Sequence, residues 1–273
     1  MKWPAVQAAG GTIDSPRNLV NAGSRMPKLE ISRVHDAYAA GGECPLCSLR
    51  DHAERTYMQS FRGNRVMEPS VRQKTNETGF CPEHYRGLYA GEGKLGLALV
   101  AHTHLQHKLP ELRAALEAAV NGAAAGRKGG RKGDRKGAER LEELAARLAS
   151  LRDRCFICDM LEADLERYAF TILYLWQKDA EFPAVLRASR GFCLSHFLLM
   201  LARAREILRG EALARWLGEV VPLMTGSLEK LEKDLFAFTQ LHQGTNRSLG
   251  TEEERSALAR TLQKLSGRLM SHD

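Results

Sequence analysis

The chain has 273 residues, is 44% hydrophobic and 27% charged, and carries a net charge of +7, enough for one large or two small domains with a buried core. Most of that charge is local, because Arg127–Gly137 reads RKGGRKGDRKG, a run of +5 that leaves +2 for everything else. No apolar run reaches the roughly 18–20 residues of a membrane span, and Met1-Lys2-Trp3-Pro4 is not followed by the apolar core of a signal peptide.

Residues 1–25, rich in Ala, Gly, Asn and Pro without periodicity, are expected to be a disordered extension, with Met26 an alternative start to Met1. Ile31, Val34, Ala37 and Tyr38 then fall at helical spacing up to Gly41-Gly42. Leu49, Ala53, Tyr57 and Phe61 form the stripe of a second helix. Pro82 suits the first turn of a short helix ended by Gly91. A helix is predicted over about 95–107, and Pro110 is expected to open another, with Leu112, Leu116 and Ala119 on its face.

Residues 122–138 are expected to be a basic, Gly-rich linker whose like charges oppose packing. It would join a first module, 26–121, to a second, 139–273. Leu141, Leu144, Leu148 and Leu151 predict a helix leading into the second module. Leu161, Leu165, Tyr168, Ile172 and Leu175 predict a long helix to about Lys178, broken at Phe182-Pro183. Further helices are predicted over 194–208, 211–217 and around Leu228–Phe238, and a capping box at Thr251–Glu254 opens the last, with Leu258, Leu262 and Leu265 inside. Alternating β-branched runs are nearly absent, so the class is all-α.

The pattern CxxC…GFCxxH occurs twice and uses all six cysteines. The first copy is Cys44 and Cys47, then Cys81 and His84; the second is Cys155 and Cys158, then Cys193 and His196. The copies are offset by 111 residues at the CxxC pair and 112 at the CxxH pair, which points to duplication of one helical module. In a chain without an export signal the expected compartment is the reducing cytoplasm, where clustered cysteines read as metal-binding or redox-active rather than as disulfides.

Three thiolates and one imidazole make the ligand set of a closed tetrahedral site. Two residues between cysteines lets both sulfurs reach one ion, and a helix N-terminus stabilises thiolate. Gly79 and Gly191 fit a tight backbone turn before each second half-site, and Phe80 and Phe192 are expected to shield the ion. Zinc, two per chain, is the expected metal, and an iron–sulfur cluster is the alternative. A thioredoxin-like role is disfavoured because no βαβ pattern surrounds the CxxC pairs.

His102, His104 and His107 lack the i, i+4 spacing of a helical metal pair and read as a solvated or half-buried face. Glu83 within the first CxxH invites a catalytic-zinc reading, but Ser195 stands at the matching place in the second. No nucleophile elbow, phosphate loop or dinucleotide fingerprint occurs. The basic residues from Arg127 to Lys136 offer a weak nucleic-acid site by counterion release, without interleaved aromatics for stacking.

The start MPKLEISRVHDAYAAGGECPLC, the stretch CFICDMLEADLERY and both GFCxxH half-sites resemble an uncharacterised bacterial and archaeal family of helical proteins with tandem cysteine motifs, which carries only a domain-of-unknown-function label. The resemblance covers about Met26 to Leu269 and supplies no activity. It implies Cys44, Cys47, Cys81 and His84 as one ligand set and Cys155, Cys158, Cys193 and His196 as the other. The expected protein is non-enzymatic: a zinc-pinned scaffold or protein-interaction module whose partner surface lies on the C-terminal helices. The alternative is a redox protein, either a zinc thiol switch or an iron–sulfur electron carrier.

Overall fold

A computed structural model describes residues 28–243 and 250–270, with side chains placed for 30–121, 135–150, 154–241 and 250–270. The expected N-terminal extension, 1–25, lies outside the described residues. So do the side chains of the basic tract from Arg127 to Asp134. Among the described residues every regular element is helical and none is a strand, as the sequence predicts.

The first elements are α1 (Lys28–Ala39), α2 (Pro45–Arg62), a 3-10 turn (Asn64–Met67), α3 (Pro69–Thr78) and α4 (Pro82–Ala90). They are followed by α5 (Lys94–Asp153), α6 (Phe156–Lys178), α7 (Phe182–Ala188), α8 (Leu194–Ile207), α9 (Gly210–Gln243) and α10 (Glu252–Ser266). Proline occupies the first turn of α2, α3, α4 and α7, where its missing N–H leaves no intrahelical bond unmade.

Helices α2 and α6 form the centre and run antiparallel. Phe61, near the end of α2, meets Phe156, at the start of α6, with ring centroids 5.9 Å apart. Midway, the Tyr57 hydroxyl donates to Asp164 Oδ2 at 2.5 Å. At the other end, Cys47 and Leu49 of α2 share a core with Leu175 and Trp176 of α6.

Two apolar cores result, and each mixes residues from both halves of the chain. The larger joins Val34, Tyr38 and Leu46 to Phe182, Phe192, Met200 and Trp216. The smaller joins Phe61, Phe80, Leu88 and Val100 to Ile157 and Leu161.

Two stretches depart from the predicted boundaries. The expected break at Pro110 and the expected linker over 122–138 are both helical, within α5. That helix is not straight. Arg147 pairs with Glu111 at 3.2 Å, and Arg140 donates to the Ala118 carbonyl at 3.1 Å. A straight helix would hold positions 111 and 147 about 54 Å apart. The chain therefore doubles back between 118 and 140, a stretch carrying six glycines. Like charges oppose packing against a neighbour, but helical i→i−4 bonds require no neighbour.

The helices predicted over 211–217 and 228–238 are one helix, α9, with Pro222 inside it. Trp216, Val220, Met224 and Leu231 are buried along one side of α9, and that burial outweighs the ladder bond Pro222 cannot make.

Candidate metal centres

Each cysteine motif sits at the start of a helix. Cys44 and Cys155 precede α2 and α6 with nearly the same backbone, φ −156° and ψ 117° against φ −156° and ψ 119°. Cys81 and Cys193 precede α4 and α8 with φ −71°, ψ 165° and φ −70°, ψ 163°. The Cys155 sulfur accepts from the Cys158 amide at 3.5 Å, and the Cys193 sulfur from the His196 amide at 3.4 Å. These are helix-capping bonds, and they place sulfur where free N–H groups stabilise negative charge.

Gly79 and Gly191 make the turn into each CxxH half-site with φ of 64° and 73°. A Cβ on Gly79 would stand 2.8 Å from the His104 ring, and one on Gly191 would stand 2.7 Å from Met224 Sδ. The positive φ at both turns is one that L-residues rarely adopt, and an added Cβ would also make the His104 ring and the Met224 thioether shift.

The eight residues singled out from the sequence gather into two clusters, but not one cluster to each motif copy, as the motif sets and the resemblance both imply. Cys44 and Cys47 meet Cys193 and His196; Cys81 and His84 meet Cys155 and Cys158. Each CxxC joins the CxxH of the other copy. The cause lies in the antiparallel pair. Helix α2 has 18 residues and carries the chain about 27 Å from its own CxxC. The first CxxH forms at that far end, where α6 begins with the second CxxC. The Phe156 amide donates to the Gly79 carbonyl at 3.0 Å and fixes the junction.

In the first cluster, His196 Nδ1 lies 3.4 Å from Cys44 Sγ, 3.4 Å from Cys47 Sγ and 3.2 Å from Cys193 Sγ, and the Cys47 and Cys193 sulfurs are 3.6 Å apart. In the second, His84 Nδ1 lies 3.1 Å from Cys81 Sγ, 3.2 Å from Cys155 Sγ and 3.5 Å from Cys158 Sγ, with Cys81 and Cys158 sulfurs 3.9 Å apart. Four ligands around one ion, with metal–sulfur bonds of about 2.3 Å and metal–nitrogen bonds of about 2.0 Å, stand about 3.5–3.8 Å from one another in a tetrahedron. Both clusters have close to these edges. All six cysteines are free thiols, so the sulfurs are not consumed in disulfides.

The electrostatics point the same way. Burial presses His84 and His196 toward neutrality, but facing sulfurs outweigh it. Cys155 leads in raising His84 to about 10, and Cys193 leads in raising His196 to about 9. Cys158 and then His84 pull the Cys155 thiol down to about 3, against burial. Cys44 and Cys47 hold Cys193 well below the ordinary thiol range. In each cluster a second thiol is pushed the other way. Cys193 and then Cys44 drive Cys47, and Cys155 with burial drives Cys158, well above the ordinary thiol range, so without a cation the sulfurs of one cluster cannot all be thiolates.

The clusters differ in exposure. Cys44, Cys47, Cys193 and His196 are all buried, whereas Cys81 and Cys158 are partly exposed around buried His84 and Cys155. Phe80 and Phe192 are buried beside them. Phe80 stacks edge-on against Phe61 and Tyr85 at 5.3 and 5.4 Å.

Several supporting residues carry no signal in the sequence. Glu54 Oε1 lies 3.1 Å from His84 Nε2, the nitrogen turned away from the sulfurs. Lys264 is fully buried. It donates to the Arg190 carbonyl at 2.5 Å and the Glu43 carbonyl at 3.0 Å, tying together the loops that lead into Cys193 and Cys44. Glu43 also accepts from Arg190 at 2.8 Å and Arg260 at 2.6 Å. A cleft of about 630 Å³ runs along α2, lined by Cys47, Arg50, Glu54, Arg62 and Arg268 among others.

The remaining sequence candidates stay apart from the clusters. Glu83 pairs with Arg86 at the surface. His104 Nδ1 lies 2.9 Å from the Asn76 carbonyl, and His102 and His107 are exposed. No helix among the described residues is long and apolar enough to cross a membrane.

No curated protein and no solved structure matches this chain. A family model described as "Family of unknown function (DUF6062)" matches residues 26–272, spanning both motif copies and all eight cluster residues, and the chain belongs to that family.

Proposed function

We propose that this is a non-enzymatic helical binding protein, a scaffold or protein-interaction module, in which each cluster of three cysteines and one histidine holds one structural zinc ion. The observation that carries this reading is the pair of tetrahedral ligand shells, each complete with four protein ligands. Zinc takes this ligand set, and a site filled by protein has no open position for water or substrate. Within each cluster the four ligand atoms lie within 4.8 Å of one another, which suits a single shared ion. An iron–sulfur cluster places its thiolates on separate irons and spreads them further apart. Matching backbone at the two CxxC and the two CxxH half-sites supports an origin by duplication. Six free cysteines suit a reducing compartment such as the cytoplasm.

Support for a binding role comes from apolar surface. Leu258, Leu262 and Leu265 of α10, Phe236 of α9, and Leu105, Leu109, Leu116, Leu141 and Leu148 of the doubled-back α5 are exposed. Metal analysis of the purified chain tests the zinc assignment. Two zinc per chain, no visible absorption and a shell of three sulfurs and one nitrogen by X-ray absorption are expected. Iron with acid-labile sulfide would overturn it in favour of electron transfer.

A further inference from the structure

The two clusters share a ligand set but not an environment. In one, all four ligands are buried. In the other, Cys81 and Cys158 reach the surface with their sulfurs 3.9 Å apart, while Cys155 and His84 stay beneath them. Cys81 opens α4 and Cys158 lies in the first turn of α6, so a bond between them joins the same two helix starts that a shared ion joins.

We propose that Cys81 and Cys158 form a site of oxidative modification by hydroperoxides, at which a disulfide replaces the ion of that cluster while the buried cluster keeps its own. This rests on the metal reading above. The hydroperoxide oxygen transfers to the sulfur of the partly exposed Cys158, giving a sulfenic acid as the O–O bond breaks and water or alcohol leaves. The Cys81 thiolate then attacks that sulfur, forming the S–S bond and expelling the oxygen as a second water. With hydrogen peroxide, two thiolates, one peroxide and two protons yield one disulfide and two waters. The ion, left with only Cys155 and His84, departs as the dication, and Cys155 takes up a proton. Sulfurs 3.9 Å apart need to close by about 2 Å to reach S–S bonding distance. The junction survives because the Phe156 amide still holds the Gly79 carbonyl.

The buried cluster lacks this route. Cys47 borders the α2 cleft but is only 2% exposed, and Cys44 and Cys193 are wholly buried.

The experiment uses the full metal-loaded chain, hydrogen peroxide and a chromophoric chelator, followed by peptide mapping without reduction. Release of one ion per chain is expected, with a Cys81–Cys158 disulfide and retention of the second ion. A thiol reductant and fresh metal should restore the first site. Release of both ions together, release of none, or a Cys155–Cys158 disulfide instead would overturn the proposal. A chain purified with no metal would overturn the metal reading itself. A loaded chain inert to peroxide would overturn only the switch.

Discussion

Glu54 stands thirty positions before the histidine it supports, and neither residue signals the other in the sequence. Its carboxylate at His84 Nε2 orients the ring so that Nδ1 faces the sulfurs. Supports of this kind raise ligand basicity, and their loss typically weakens metal affinity about 10–100-fold. Glu54→Ala should weaken the Cys81/His84/Cys155/Cys158 site by about that factor and leave the other site unchanged, read by chelator competition. Equal loss at both sites, or none, would remove Glu54 from this role. Lys264 makes a second case. Its ammonium sits in full burial against two carbonyls and Glu43, the carboxylate that Arg190 and Arg260 also hold. Burial lowers its pKa, while Glu43 opposes that. Breaking a buried charge network costs about 3–5 kcal/mol, so Lys264→Met should lower urea stability by several kcal/mol. A change under about 0.5 kcal/mol, the usual surface effect, would show that the clamp is not structural. The cysteines, histidines and glycines of the site were legible because their spacing is local. Glu54, Glu43 and Lys264 were not, because tertiary folding alone brings them to it.

At the scale of elements, periodicity located most helices and misjudged where several of them end. Pro110 and the gap between 217 and 228 read as breaks, yet α5 continues through Pro110 and α9 through Pro222, whereas the glycine-rich stretch read as a linker is helical on both sides of a reversal. A local penalty stops a helix only where nothing outweighs it, and α9 buries Trp216, Val220, Met224 and Leu231 on one side. Helix α10 shows the opposite problem. Its leucines look like a core stripe, but the face turned to the protein carries Ala257, Arg260 and Lys264, and Leu258, Leu262 and Leu265 face out. The ion pairs to Glu43 and Asp234 dock the polar side. Leu262→Ser should therefore change unfolding free energy by no more than about 0.5 kcal/mol. The loss of about 2–5 kcal/mol typical of a truncated core leucine would place that side chain inside instead. Helices docked through ion pairs are the ones a hydrophobic stripe misplaces.

At the scale of the whole molecule, the crossed pairing of half-sites changes what folds with what. Two modules with their own ions would melt separately. Here each cluster takes its CxxC from one copy and its CxxH from the other, and both apolar cores mix the copies as well. The repeat was visible in the sequence, but spacing within each copy could not reveal that α2 and α6 run antiparallel. A fragment of residues 26–121 holds Cys44, Cys47, Cys81 and His84, yet α2 keeps the two pairs about 27 Å apart. It should bind no zinc in a tetrahedral shell of three sulfurs and one nitrogen, and should show little cooperative unfolding. Mixing it with a fragment of residues 139–273 should restore both sites together. In the intact chain, removing metal with a strong chelator should lower stability across both halves in one transition, because metal binding to a folded site is folding free energy. Circular dichroism melts and hydrogen exchange at α4 and α8 measure this. An isolated first fragment that folds around its own zinc, or a stripped chain in which one half alone loses protection, would show that the copies are independent after all.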